Sequence, residues 1–151
     1  MSLGWVGPSG GWEDRQARAT PELIAAFIDL AYDEYGLRTQ WTIFGGADNT
    51  TLASRRAVVD RFIGALGGRR LAKVMLYEVA NEGWQNGFAD DAGRRELWSL
   101  ATLLRHSTPN LVALTAPQLL PKGLAPLYDG SPATLVTAHL DRDVTGTGGM
   151  F

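Results

Sequence analysis

The chain has 151 residues, 45% of them hydrophobic, with 14 basic and 16 acidic side chains and a formal net charge of −2. That composition supports one packed domain, and charges spread along the sequence exclude the basic footprint of a nucleic-acid or anionic-membrane binder. The absence of cysteine excludes disulfides and thiolate metal sites.

Met1 to Thr20 reads as an N-terminal loop segment of Gly, Pro, Trp and charged residues, without the apolar core of a signal peptide. No run in the chain approaches the roughly 18 apolar residues of a transmembrane segment. Thr20 can cap a helix with Pro21 at its first position, and Leu23, Ile24, Phe27, Ile28 and Ala31 form its apolar face until Gly36. Thr39 to Phe44, β-branched and aromatic, reads as a short buried strand running into Gly45 and Gly46. Asp48, Asn49, Thr50 and Thr51 offer caps for a second helix that turns Val58, Val59, Phe62 and Leu66 inward and ends at Gly67-Gly68.

Lys73 to Ala80 is the next strand. A helix from about Ala92 to His106 follows, carrying Leu97, Leu100, Ala101 and Leu104 and broken by Thr108-Pro109. His106, in its last turn, favours the helix dipole. Asn110 to Ala116 is a third strand closed by Pro117. Pro121, Gly123 and Pro126 leave room only for a short helix near Leu124 to Tyr128, and Thr134 to His139 reads as a fourth strand.

Strands of continuous apolar character separated by helices predict an α/β fold with a parallel sheet. Two architectures fit, part of a (β/α)8 barrel or an open doubly wound sheet. The phosphate-binding glycine spacing of the latter's nucleotide-binding members is absent.

The chemistry lies where the second strand ends, in Glu78-Val-Ala-Asn81-Glu82-Gly-Trp84. A carboxylate at a strand mouth, beside an amide and a flat apolar ring, suits acid/base work on a sugar. The ordinary alternative for Glu82 is a solvated loop glutamate. Regular alternation would put Glu78, Ala80 and Glu82 on one side of the strand.

The pattern E-x-x-N-E after Lys73-Val74-Met75-Leu76-Tyr77 resembles the signature of the clan A glycoside hydrolases, cellulase-like and mannanase-like (β/α)8 barrels, at the end of their fourth strand. The resemblance implies that Glu82 is the catalytic acid/base and that Asn81 binds the sugar 2-hydroxyl. It also implies that His139, at the end of strand six, lies on the substrate rim. The chain departs from the family in carrying Gly83 where a proline often follows Asn-Glu, and Asp141 where many members have a tyrosine.

The family's nucleophile, a glutamate ending strand seven, has no counterpart. Glu78 cannot replace it, since four strand residues span roughly 13 Å against the roughly 5 to 5.5 Å of a retaining pair. Glu78 is then an interior carboxylate needing a buried partner; Asp141 and Asp143 could approach Glu82 from another strand, with a surface role the ordinary expectation. Trp84, and Trp5 and Trp12 in the N-terminal segment, could stack on sugar rings, whereas Trp98 on a helix is packing. Two histidines and no cysteine argue against a zinc site, and no serine sits in a nucleophile elbow.

The leading expectation is therefore a partial barrel over residues 21–151 acting on β-linked glycosides by a retaining mechanism, with no metal or cofactor and with the nucleophile missing. The C-terminal Gly146 to Phe151, following an apolar strand without a covering helix, fits a truncated barrel, with a flexible natural tail as the alternative. A carbohydrate substrate is the expected partner, with neither nucleic acid nor membrane, and open strand edges would favour self-association. The alternatives are a non-catalytic carbohydrate-binding or scaffold domain, and an open α/β domain in which Asn81-Glu82 is coincidental.

Overall fold

The computed structural model describes residues 21–45, 51–118 and 122–138. Helix α1, Pro21–Asp29, buries Ile24, Ala25 and Ile28, while Leu23 is turned out at 56% exposure, so the apolar face is narrower than the sequence pattern implies. The helix then widens into a π-helical segment, Leu30–Glu34, instead of continuing as an α-helix. Gly36, with φ +63°, ends it by donating its N–H to Tyr32 O at 3.1 Å, a left-handed stop that suits glycine. The predicted cap Thr20 lies outside the described residues.

Strand β1, Gln40–Phe44, leads to helix α2, Leu52–Leu71, capped by Thr51, whose hydroxyl accepts the Ser54 N–H at 3.2 Å. The candidate caps at 48–50 lie outside the described residues. Gly67 breaks the helical conformation (φ 64°, ψ 166°), as its type suggests, but one further turn follows through Leu71.

Strand β2, Leu76–Ala80, is buried throughout. Lys73 and Val74, expected in the strand, instead bond back to Arg70 O and Leu71 O and close the preceding turn. Helix α3, Asp91–Ser107, begins at the Asp90 cap, strand β3 is Leu111–Ala113, and helix α4 is Leu124–Tyr128.

The strands form one parallel sheet in the order β1-β2-β3, with Thr42 beside Glu78 and Glu78 beside Ala113. Trp41 and Tyr77 are register partners on one face. Phe27 of α1 meets the Trp41 ring edge-on at 6.2 Å, and Phe62 of α2 meets Tyr77 at 6.0 Å. These contacts put α1 and α2 on the same face, and α3 packs against α2 and the strands. The core of Ile28, Val59, Phe62, Tyr77, Leu100 and Leu104 lies between sheet and helices. Burial pushes the Tyr77 phenol well above its ordinary pKa, and its hydroxyl donates to Leu71 O at 2.8 Å.

The expected fourth strand is corrected. Residues 134–138 run beside β3 without forming a ladder. Thr134 and Leu135 both donate their N–H to Val112 O, and Val112 N–H donates to the Thr134 side-chain hydroxyl instead of a backbone carbonyl. A threonine side chain has taken the ladder's place. No helix among the described residues is long and apolar enough to cross a membrane.

Candidate active site

In a parallel sheet the C-terminal ends of all strands share one edge, and Asn81 and Glu82 stand on it. The Ala80 N–H donates to Leu114 O at 2.9 Å and the Asn81 N–H to Phe44 O at 2.8 Å, so the strand is held on both sides up to that point. Glu82 then takes φ +39°, a left-handed conformation that costs a non-glycine residue roughly 1 to 3 kcal/mol and persists only where surroundings over-determine it. The strand alternation therefore stops before Glu82, contrary to the regular-strand expectation. The direction of its side chain is set by a turn.

That turn is restrained from several sides. Gln85 N–H donates to Glu82 O, and Asn86 and Phe88 N–H both donate to Gly83 O. The Asn86 amide donates to Asn81 O. Gln85 Nε2 donates to the Glu82 carboxylate Oε2 at 2.6 Å. Gly83 N–H donates to Thr115 Oγ1 at 2.7 Å, and a Cβ at position 83 would come within 3.1 Å of the Thr115 methyl. A proline there would remove that donor.

Beneath the turn, the buried Arg55 of α2 pairs with Glu96 Oε2 at 2.9 Å and stacks its guanidinium 3.9 Å from the centre of the Phe88 ring. It also reaches the carbonyls of Asn86 and Gly87 at 3.5 Å. Gly87, at φ +82°, leaves the space it needs, since a Cβ would lie 2.5 Å from the guanidinium. Arg55 and Thr115 escaped the sequence reading. The signal for Arg55 was present, because 55, 58, 59, 62 and 66 share one helix face and a lone arginine among apolar residues requires a partner.

Between this turn and the segment after β3 lies an open cleft of about 300 Å³. Trp84, Phe88, Leu97 and Leu127 supply apolar walls, and Asp90, Asp91, Arg94 and Lys122 the charges. Asp90 is committed to the α3 cap, accepting the Gly93 N–H at 2.7 Å, and Asp91 pairs with Arg94 at 3.0 Å.

Glu78 is 2% exposed, on the sheet face opposite Tyr77. Its two oxygens accept hydroxyls from Thr42 at 2.8 Å and Thr137 at 2.7 Å, so its carboxylate is occupied in the interior. Trp98 packs on the core and donates its indole N–H to Leu127 O. His106 Nδ1 lies 2.7 Å from Thr102 O at the α3 end, away from the strand mouths. His139, Asp141, Asp143, Trp5 and Trp12 lie outside the described residues. Among the described residues no group of three or more His, Asp or Glu side chains is arranged to hold a metal ion.

The structure thus brings Asn81, Glu82 and Trp84 onto one strongly restrained turn at the strand mouth. No protein-family model, curated protein or solved structure matches the chain.

Proposed function

We propose that this chain carries the acid/base half of a β-glycoside hydrolase site on part of a (β/α)8 barrel. Glu82 protonates the departing glycosidic oxygen and Asn81 orients the sugar. The observation that carries the reading is the restrained, positive-φ glutamate at the C-terminal mouth of a parallel sheet, the edge on which α/β folds of both kinds bind ligands. The barrel, rather than a doubly wound sheet, is supported by α1, α2 and α3 lying on a single face. Glu78, Thr42 and Thr137 then form a polar interior layer.

Glu82→Gln, made in this chain and in any longer protein that contains it, is the test. Hydrolysis of glycosides with poor leaving groups falls by about 100-fold or more, while activated aryl glycosides, which need no proton, lose much less. Equal small losses for both remove Glu82 from the role.

A carbohydrate-binding domain without turnover is the second reading. It is favoured by the cleft acids Asp90 and Asp91 being spent on a helix cap and an ion pair. In either case the outer edge of β1, which pairs with no further strand among the described residues, invites self-association, which light scattering reads directly.

A further inference from the structure

We infer that Tyr128 is a positioning residue that fixes the Glu82 turn, acting through Thr115. The path rests on hydrogen bonds alone, and its consequence for turnover rests on the hydrolase reading. Tyr128 ends α4, half-buried. Its hydroxyl donates to Thr115 O at 2.8 Å and accepts the N–H groups of Thr115 and Thr137, each at 3.3 Å. One phenol thus serves both backbone groups of Thr115, where the next strand of a continued sheet would supply a carbonyl and an N–H. It takes at Thr115 the place that the Thr134 hydroxyl takes at Val112.

Thr115 passes this anchoring on. It is buried, and its own hydroxyl accepts the Gly83 N–H at 2.7 Å. The position of its backbone therefore sets where Gly83, and with it the positive-φ Glu82, stands. A left-handed non-glycine residue persists only while its surroundings hold it. Arg55 holds the far side of the turn through Phe88 and the carbonyls of Asn86 and Gly87, and Tyr128 with Thr115 holds the side next to β3. The Tyr128 hydroxyl also stands 3.3 Å from that of Thr137, which donates to the buried Glu78 at 2.7 Å. One chain of polar contacts runs from the interior carboxylate to the turn that carries Glu82.

The experiment measures hydrogen exchange of the Gly83 amide by NMR in the full chain, relative to the Val59 amide in the core of α2, which reports global opening. Tyr128→Phe removes only the hydroxyl and speeds Gly83 exchange about fivefold to tenfold. Thr115→Val removes the acceptor itself and acts at least as strongly, and the double variant adds nothing to it, because members of one path are not additive. Trp98→Phe is the control. It cuts another tether of α4, the indole N–H bond to Leu127 O at 2.9 Å, and leaves Gly83 unchanged. Gly83 exchange indifferent to Tyr128→Phe overturns the inference, and so does an equal response to Trp98→Phe, which would mean that α4 acts by packing alone. In any longer protein that hydrolyses glycosides, Tyr128→Phe lowers kcat about fivefold to tenfold with KM kept, and lowers nothing further in a Glu82→Gln background. A loss confined to KM removes Tyr128 from positioning the acid. The expected Gly83 response combined with hydrolysis indifferent to Glu82→Gln refutes the acid/base reading alone and leaves the path from Tyr128 to the turn standing.

Discussion

Replacing Arg55 by methionine tests how the Glu82 turn is held. Arg55 and Glu96 have 3% and 15% side-chain exposure, and Glu96 Oε1 is already buried without a hydrogen-bond partner among the described residues. Removing the guanidinium leaves the Glu96 carboxylate buried without its cation, for which breaking a buried pair costs about 3 to 5 kcal/mol. The partial exposure of Glu96 argues for the lower end. The lost stack on Phe88 is offset in part by a methionine sulfur against the same ring. The net expectation is about 3 kcal/mol, or a melting temperature lowered by about 6 to 12 °C in a chain of this length. Arg55→Met combined with Glu96→Leu removes both charges and recovers most of the loss, to within about 1 kcal/mol of the native chain. Urea unfolding of the four proteins closes the double-mutant cycle. A single-variant loss below about 1 kcal/mol, or a double variant as unstable as Arg55→Met, would refute the account of a desolvated charge pair beneath the turn.

Two glycines on helices answer oppositely to alanine. A Cβ on Gly93 meets the Phe88 backbone at 2.4 Å and costs about 1 to 3 kcal/mol despite better helix propensity. Gly64, exposed in α2 with nothing within 4 Å, gains about 0.5 to 1 kcal/mol, and thermal melts separate the two signs. Glu78→Gln costs less than about 1 kcal/mol because the Thr42 and Thr137 hydroxyls can rotate to suit an amide. Glu78→Leu strands the Thr42 hydroxyl, leaves that of Thr137 only the Tyr128 hydroxyl at 3.3 Å, and costs about 2 kcal/mol, so equal melting temperatures for the two variants would remove Glu78 as a tie between Thr137 and the sheet, beside the Thr134 and Leu135 bonds to Val112. Hydrogen bonds from Lys73 and then Arg70 hold the Asp29 carboxyl below its ordinary value of 3.8, and Asp29 and then Asp33 hold Lys73 above 10.5. The Asp29 contribution is complete above about pH 4 and is lost as pH falls through its lowered pKa. That of Lys73 is complete below 10.5 and is lost as pH rises through its raised pKa. The stability difference between the native chain and Asp29→Asn, measured by urea midpoints, is therefore flat from pH 5 to 9 and shrinks in acid. A difference unchanged at pH 2 contradicts the pairing.

Periodicity and end signals are local, and the elements that depend on them were legible in the residues. Leu97, Leu100, Ala101 and Leu104 define one face of α3, Thr51 caps α2, and Gly123 and Pro126 confine α4 to Leu124–Tyr128. The apolar run ending at Asn81-Glu82 likewise marks a strand mouth in a parallel sheet, because a strand followed by a covering helix has few other solutions. What tertiary structure decided is where side chains were traded between segments. Residues 134–138 carry a strand's composition, yet the Thr134 hydroxyl bonds Val112 N–H in place of a ladder, a competition that propensity does not encode. The position of Glu82 just past a strand end was legible from the apolar run before it, but its left-handed backbone was not, since no property of glutamate favours it. That conformation is imposed by Thr115 from after β3 and by the turn bonds of Gly83. Arg55, from another helix, secures the far side of the turn through Phe88 and the carbonyls of Asn86 and Gly87. The residue types that can do chemistry are written along the chain, whereas the geometry that constrains them arises only when distant segments meet.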